Sequence, residues 1–169
     1  MDSLMWGREP VVTGFDLIDH NGKQRTDAHF RGQFLVVYFG YMFCPDICPT
    51  DLQVIARAID ELGPAGKAVQ PLFITVDPER DTPEKLASYV PLFHPRLIGL
   101  TGSPEQTRRV AQGYKVYYAK NVDAGTSTYL LDHSAYIYLV DGEGRYVGFL
   151  PPGTTSDRLV QVIRSRLPG

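Results

Sequence analysis

Cys44 and Cys48 are the only cysteines in the chain, four residues apart in the stretch Tyr41-Met42-Phe43-Cys44-Pro45-Asp46-Ile47-Cys48-Pro49-Thr50. An apolar run, Phe34 to Phe39, precedes them, and a segment with helical periodicity follows. The pair therefore falls at a strand-to-helix junction, where the helix N-terminus lowers a thiol pKa and favours thiolate. Thiolates attack disulfides and peroxides, and they bind soft metals such as Cu(I) and Zn(II). A thioredoxin-type redox motif has two residues between its cysteines; this one has three. Sulfurs at i and i+4 can share one side of a helical turn. They could hold one metal ion, or close to a disulfide, which needs Cα atoms within about 7 Å.

Two thiolates leave a metal undercoordinated, so the histidines are the next residues to weigh: His20, His29, His94 and His133. His20 sits in a turn, His29 in a polar loop, and His94 before Pro95 at a helix exit; each reads as a local structural residue. His133 lies in Asp132-His133-Ser134, directly before the apolar run Ala135 to Val140. Alone it fits a capping histidine as well as a ligand. With the cysteines, it is the favoured third ligand. Two thiolates and one imidazole suit copper, since thiolate selects Cu(I) and imidazole also helps to hold Cu(II). Asp132 could orient His133 or cap a turn.

The elements that must position these residues follow from periodicity and turn chemistry. Phe15 to Ile18 and Gln24 to Thr26 flank Asp19-His20-Asn21-Gly22 and predict a small hairpin on an Asn-Gly turn. Phe34 to Phe39 and Leu72 to Val76 predict strands buried on both faces. Leu52, Ile55, Ile59 and Leu62, with Ala56, predict a helix after the cysteines, with Pro49 in its first turn and Gly63-Pro64 at its end. Thr82 predicts an N-cap with Pro83 at the first helical position, the helix running to about Val90. Leu97 to Leu100 predicts a strand, Ser103-Pro104-Glu105 a helix closed by Gly113, and Lys115 to Tyr118 a short strand. Asn121 to Thr128 is expected to be a polar loop that stiffens when metal binds. Ser134 to Val140 and Tyr146 to Leu150 predict an antiparallel hairpin, and Thr154 to Leu167 a last helix. The order implies an α/β fold, a mixed sheet flanked by helices with an N-terminal hairpin, in a thioredoxin-like arrangement. Residues 1–13 read as an extension and 14–169 as the domain. The segment Asp77-Pro78-Glu79-Arg80-Asp81 reads either as a helix start or as an exposed acidic surface beside the site.

Composition sets outer bounds. The chain has 169 residues, 43% apolar and 21% charged, which fits one globular domain. A formal net charge of -2 with no basic stripe argues against nucleic acid as a partner. No stretch approaches the roughly 18 apolar residues of a membrane span, and no signal peptide is visible.

Three separated strings resemble signatures of the Sco (SenC) family: Tyr38 to Pro49, Phe73 to Pro83, and Asp132-His133-Ser134 before an apolar strand. They stand in the family order and span most of the chain, about Gly14 to Leu167. The resemblance implies a thioredoxin fold and copper held by Cys44, Cys48 and His133. It implies assistance in assembling the dinuclear copper centre of cytochrome c oxidase. Partners would be the copper-bearing oxidase subunit and other copper chaperones or thioredoxin-like reductants. It also implies a membrane anchor, expected to be missing ahead of Met1. The domain would then face the bacterial periplasm or the mitochondrial intermembrane space. A thiol–disulfide oxidoreductase using Cys44 and Cys48 as a redox pair stays open as the alternative. A thiol peroxidase is disfavoured. Peroxiredoxins carry Pro and Thr or Ser seven and three residues before the reactive cysteine. Cys48 has Tyr41 and Pro45 there, and Cys44 has Val37 and Tyr41.

Overall fold

The computed structural model describes residues 13–41, 47–114, 116, 118–122, 129–133, 136–151 and 153–167, with backbone alone for 47–49, 118–122 and 129–133. The elements run β1 (Asp16–Asp19), β2 (Gln24–Thr26), β3 (Phe34–Gly40), α1 (Ile47–Glu61), β4 (Val69–Thr75), α2 (Pro83–Tyr89) and β5 (Ile98–Thr101). There follow α3 (Pro104–Tyr114), β6 (Tyr118–Val122), β7 (Tyr129–His133), β8 (Ile137–Val140), β9 (Tyr146–Leu150) and α4 (Ser156–Arg166).

The local chemistry that starts and stops these elements is visible. Asp19 Oδ1 accepts the backbone N–H groups of Asn21 (2.8 Å) and Lys23 (3.0 Å), which ties off the β1–β2 turn. Gly22 stands at φ +79°, a conformation that costs side-chain-bearing residues about 1–2 kcal/mol. Thr82 Oγ1 accepts the Lys85 N–H at 3.4 Å, and Pro83 occupies the first position of α2. Ser103 Oγ accepts the Gln106 N–H (3.1 Å) while Gln106 Oε1 accepts the Ser103 N–H (2.8 Å), a reciprocal cap for α3.

Seven strands form one sheet in the order β2-β1-β5-β4-β3-β8-β9, and β6 and β7 form a separate two-stranded sheet. β3, β4 and β5 run parallel, while β1, β8 and β9 pair antiparallel to their neighbours. Every residue of β3 and of β4 is buried, β3 as its unbroken apolar run requires and β4 with the polar Gln70 and Thr75 taken in as well. Tyr38 and Phe73 are register partners and so point to one face. There Tyr38 meets Asp51 of α1, and Phe73 packs on Tyr89 of α2; α4 packs against α1 on the same side. Phe39 points the other way and meets Tyr114 of α3, whose ring also packs on Tyr138 of β8. The predicted face of α1 is the buried one: Leu52, Ile55, Ile59 and Leu62 are each no more than 4% exposed. Each such burial contributes roughly 1.5–3 kcal/mol of transfer free energy. Among the described residues, no helix is long and apolar enough to cross a membrane.

The last third differs from expectation. The strand predicted at Lys115 to Tyr118 begins at Tyr118 and runs to Val122, so the expected polar loop loses Asn121 and Val122 to β6. Residues 123–128, like 1–12, lie outside the described residues. His133 does not belong to a loop leading into the next strand. It ends a strand of its own, β7, opposite Tyr118. The β8–β9 hairpin is as expected, with its described part starting at Ile137 and a register irregularity between Leu139 and Val140.

Candidate metal centre

Cys48 is the second residue of α1, inside its first turn. That turn contains no acidic residue. Cys44 lies outside the described residues. His133 closes β7, three residues before Tyr136, which leads into β8. β8 runs antiparallel to β3, with Ile137 beside Tyr38 and Val140 beside Leu35. The chain arriving from His133 therefore joins the sheet at the end where β3 hands over to the cysteine segment and α1. Topology brings Cys48 and His133 to one end of the sheet although 85 positions separate them in sequence.

The other histidines are occupied by the backbone. His20 Nδ1 accepts the Gly99 N–H (3.2 Å) and His29 Nδ1 accepts the Thr26 N–H (2.9 Å). His94 Nδ1 accepts the Arg96 N–H (3.0 Å), which leaves its Nε2 hydrogen for Asp60 Oδ1 at 2.9 Å. His29 has the local role expected of it, whereas His20 and His94 tie distant segments together through Gly99 and Asp60, and no group of three metal-ligating side chains gathers among the described residues.

Two polar networks flank the cysteine segment. At its start, Arg80 pairs through Nε with Asp77 Oδ2, and its guanidinium lies 5.8 Å from the Tyr41 ring centroid. Thr75 Oγ1 donates to Asp81 Oδ2 (2.6 Å) and accepts the Asp77 N–H (3.0 Å). Asp77 is 2% exposed and Asp81 is fully buried, so the acidic surface considered for this segment is reduced to the exposed Glu79. A buried carboxylate needs such partners, because removing the charge from water costs several kcal/mol. At the far end, Asp51 lies on the buried face of α1 and accepts the Tyr38 hydroxyl at 2.8 Å. Burial pushes the Asp51 carboxyl above the usual aspartate range, and hydrogen bonds from Tyr38 and the Gly153 N–H offset part of that rise. Sequence reasoning missed Asp51. Its spacing to Ile55, Ala58 and Leu62 places it on the apolar stripe of α1, and that was the signal to follow.

Known proteins share the fold. Protein SCO2 homolog, mitochondrial, of Bos taurus is 43% identical over 155 residues, covering 90% of the chain and 58% of the relative. The crystal structure of Arabidopsis thaliana ScoI with copper bound is 43% identical and superposes with a TM-score of 0.87, over 92% of this chain and 97% of that one. Bradyrhizobium japonicum ScoI with copper bound is 38% identical, with a TM-score of 0.85 over 93% of this chain and 99% of that one. The shared fold is the thioredoxin-like one, a mixed seven-stranded sheet with flanking helices. The chain spans 58–62% of the length of the first curated relatives it matches. A family model described as SCO1/SenC matches residues 5–168, nearly the full length. The protein is a member of the SCO1/SenC family.

Proposed function

We propose that this protein is a copper chaperone that holds copper through Cys44, Cys48 and His133 and helps to assemble the dinuclear copper centre of cytochrome c oxidase. The observation that carries the reading is the convergence of Cys48, in the first turn of α1, and His133, at the end of β7, on one end of the sheet. Relatives of the same fold, at 38% and 43% identity, have been solved with copper bound.

Copper is cargo in this reading. Two thiolates match the softness of Cu(I), and an imidazole adds a ligand that tolerates Cu(II). Three protein ligands leave an open position, so a partner's thiolate or imidazole can attack before the donor ligands leave. The partner is the copper-bearing subunit of the oxidase, with other copper chaperones or thioredoxin-like reductants acting upstream. The working compartment is the periplasmic face of the bacterial inner membrane or, alternatively, the intermembrane space of mitochondria.

The test is Cu(I) titration of the fully reduced protein against a chromophoric competitor, in parallel with His133→Ala. One tightly held copper per chain, weakened about tenfold or more in the variant, is expected, since removing even an outer partner of a ligand costs 10–100-fold. Equal binding by the two proteins removes His133 from the ligand set and moves thiol–disulfide exchange by Cys44 and Cys48 to first place.

A further inference from the structure

Asp51 is nearly fully buried, whereas Asp60 and Glu61, the other carboxylates of α1, are exposed. It stands three residues, about one helical turn, after Cys48, and residues at that spacing share a helix face. Three parts of the fold meet at its carboxylate: β3 through the Tyr38 hydroxyl (2.8 Å), α1 itself, and the β9–α4 turn through the Gly153 N–H. An apolar side chain could fill the same volume without the cost of burying a carboxyl group. What hydrogen bonds add is direction: they fix the rotation of a helix, where apolar contact mainly fixes its distance.

We propose that Asp51 is a positioning residue that pins the N-terminal end of α1 to Tyr38 and Gly153 and thereby sets the placement of Cys48 relative to Cys44 and His133. The ligand roles in this statement rest on the copper reading above. The mechanical role does not, because it also governs the cysteine pair in the absence of metal. Oxidation of the pair must bring the two Cβ atoms to about 3.5–4.5 Å. In this proposal the pin on the buried side of α1 favours the dithiol, the form that accepts Cu(I), over the disulfide.

The experiment equilibrates the metal-free protein with glutathione buffers: protein dithiol plus glutathione disulfide gives protein disulfide plus two glutathione thiols. Wild type, Tyr38→Phe, Asp51→Ala and Asp51→Asn are compared, with urea stability measured alongside. Tyr38→Phe and Asp51→Ala should shift the equilibrium toward the disulfide, Asp51→Ala by about tenfold, equivalent to about 30 mV for this two-electron couple. Asp51→Asn should return to within about twofold of wild type, because an amide can accept from Gly153 and donate to the Tyr38 oxygen. The proposal is overturned if Asp51→Ala loses stability but titrates like wild type, if the Asn variant shifts as far as the Ala variant, or if the shift favours the dithiol. Tyr38→Phe, which keeps the ring, guards against a variant that does not fold. Cu(I) competition on the same set separates the two readings. A wild type that binds no copper defeats the chaperone reading alone and leaves the glutathione result to decide this one.

Discussion

Replacing Arg80 by Met tests how firmly the start of the cysteine segment is held. The Asp77 side chain is 2% exposed and that of Arg80 18%, so their ion pair is largely shielded from water. Removing the cation leaves a buried carboxylate short of its charged partner, a change that costs about 3–5 kcal/mol when burial is complete. The residual exposure of Arg80 lets water into the space left behind, and Asp77 keeps the Thr75 hydroxyl against its backbone N–H. Both place the expected loss near the lower end, about 3 kcal/mol. Loss of the guanidinium from the Tyr41 ring adds about 0.5–1 kcal/mol. For a domain of this size a 3 kcal/mol loss lowers Tm by about 6–12 °C. The assay is urea unfolding of wild type, Arg80→Met, Asp77→Asn and the double variant. The double variant should recover much of the loss, since it carries no unpaired charge, giving a coupling energy of at least about 1.5 kcal/mol. A coupling near zero, with Arg80→Met within 0.5 kcal/mol of wild type by the ordinary measure of a surface change, would refute the claim that the pair is buried and mutually dependent.

Two further outcomes follow from the same physics. Burial acts to raise the Asp19 carboxyl, but the Arg25 guanidinium at 2.9 Å and the Lys23 and Asn21 N–H groups outweigh it and hold it below the usual range. A group depressed in the folded state adds stability above its unfolded pKa, and that stability is lost as pH falls through the folded one. Asp19→Asn should therefore cost about 1–2 kcal/mol at pH 7, with the gap to wild type closing below about pH 4; a gap independent of pH in urea titrations from pH 2 to 7 would contradict this. Gly153→Ala meets no atom within 4 Å but sits at φ +83°, so urea unfolding should register only the backbone cost of about 1–2 kcal/mol.

The parts of the fold legible in the sequence are those where local chemistry and burial agree. Phe34 to Phe39 and Leu72 to Val76 read as buried strands because an apolar run, broken in the second only by Thr75, has no polar face to give to water. Thr82-Pro83 and Asn21-Gly22 carry backbone preferences that no neighbour needs to enforce. β7 was missed although Tyr129-Leu130-Leu131 is apolar, because its partner β6 is short, mixed in pattern and separate from the main sheet. The charges of Asp77 and Asp81 argue for solvent when read alone. Only the fold, by bringing Thr75 and Arg80 onto them at the end of β4, makes their burial tolerable. Cys44, Cys48 and His133 are nominated as candidate ligands from the sequence alone. The shared sheet end of Cys48 and His133 needed the antiparallel register of β8 on β3, which no local pattern encodes.

The rims of the main sheet bear on how the protein behaves in a crowded compartment. One rim is β2, three residues long, which carries Gln24 and Arg25 and offers little length for a foreign strand. The other is β9, five residues long, where the register slips beside Gly148. Short and irregular rims are poor templates for strand addition between copies, the route by which open sheets aggregate. The parallel interior, slow to form and rich in apolar residues, is thus sealed laterally by two weak acceptors. Strand addition between copies is therefore disfavoured at both rims.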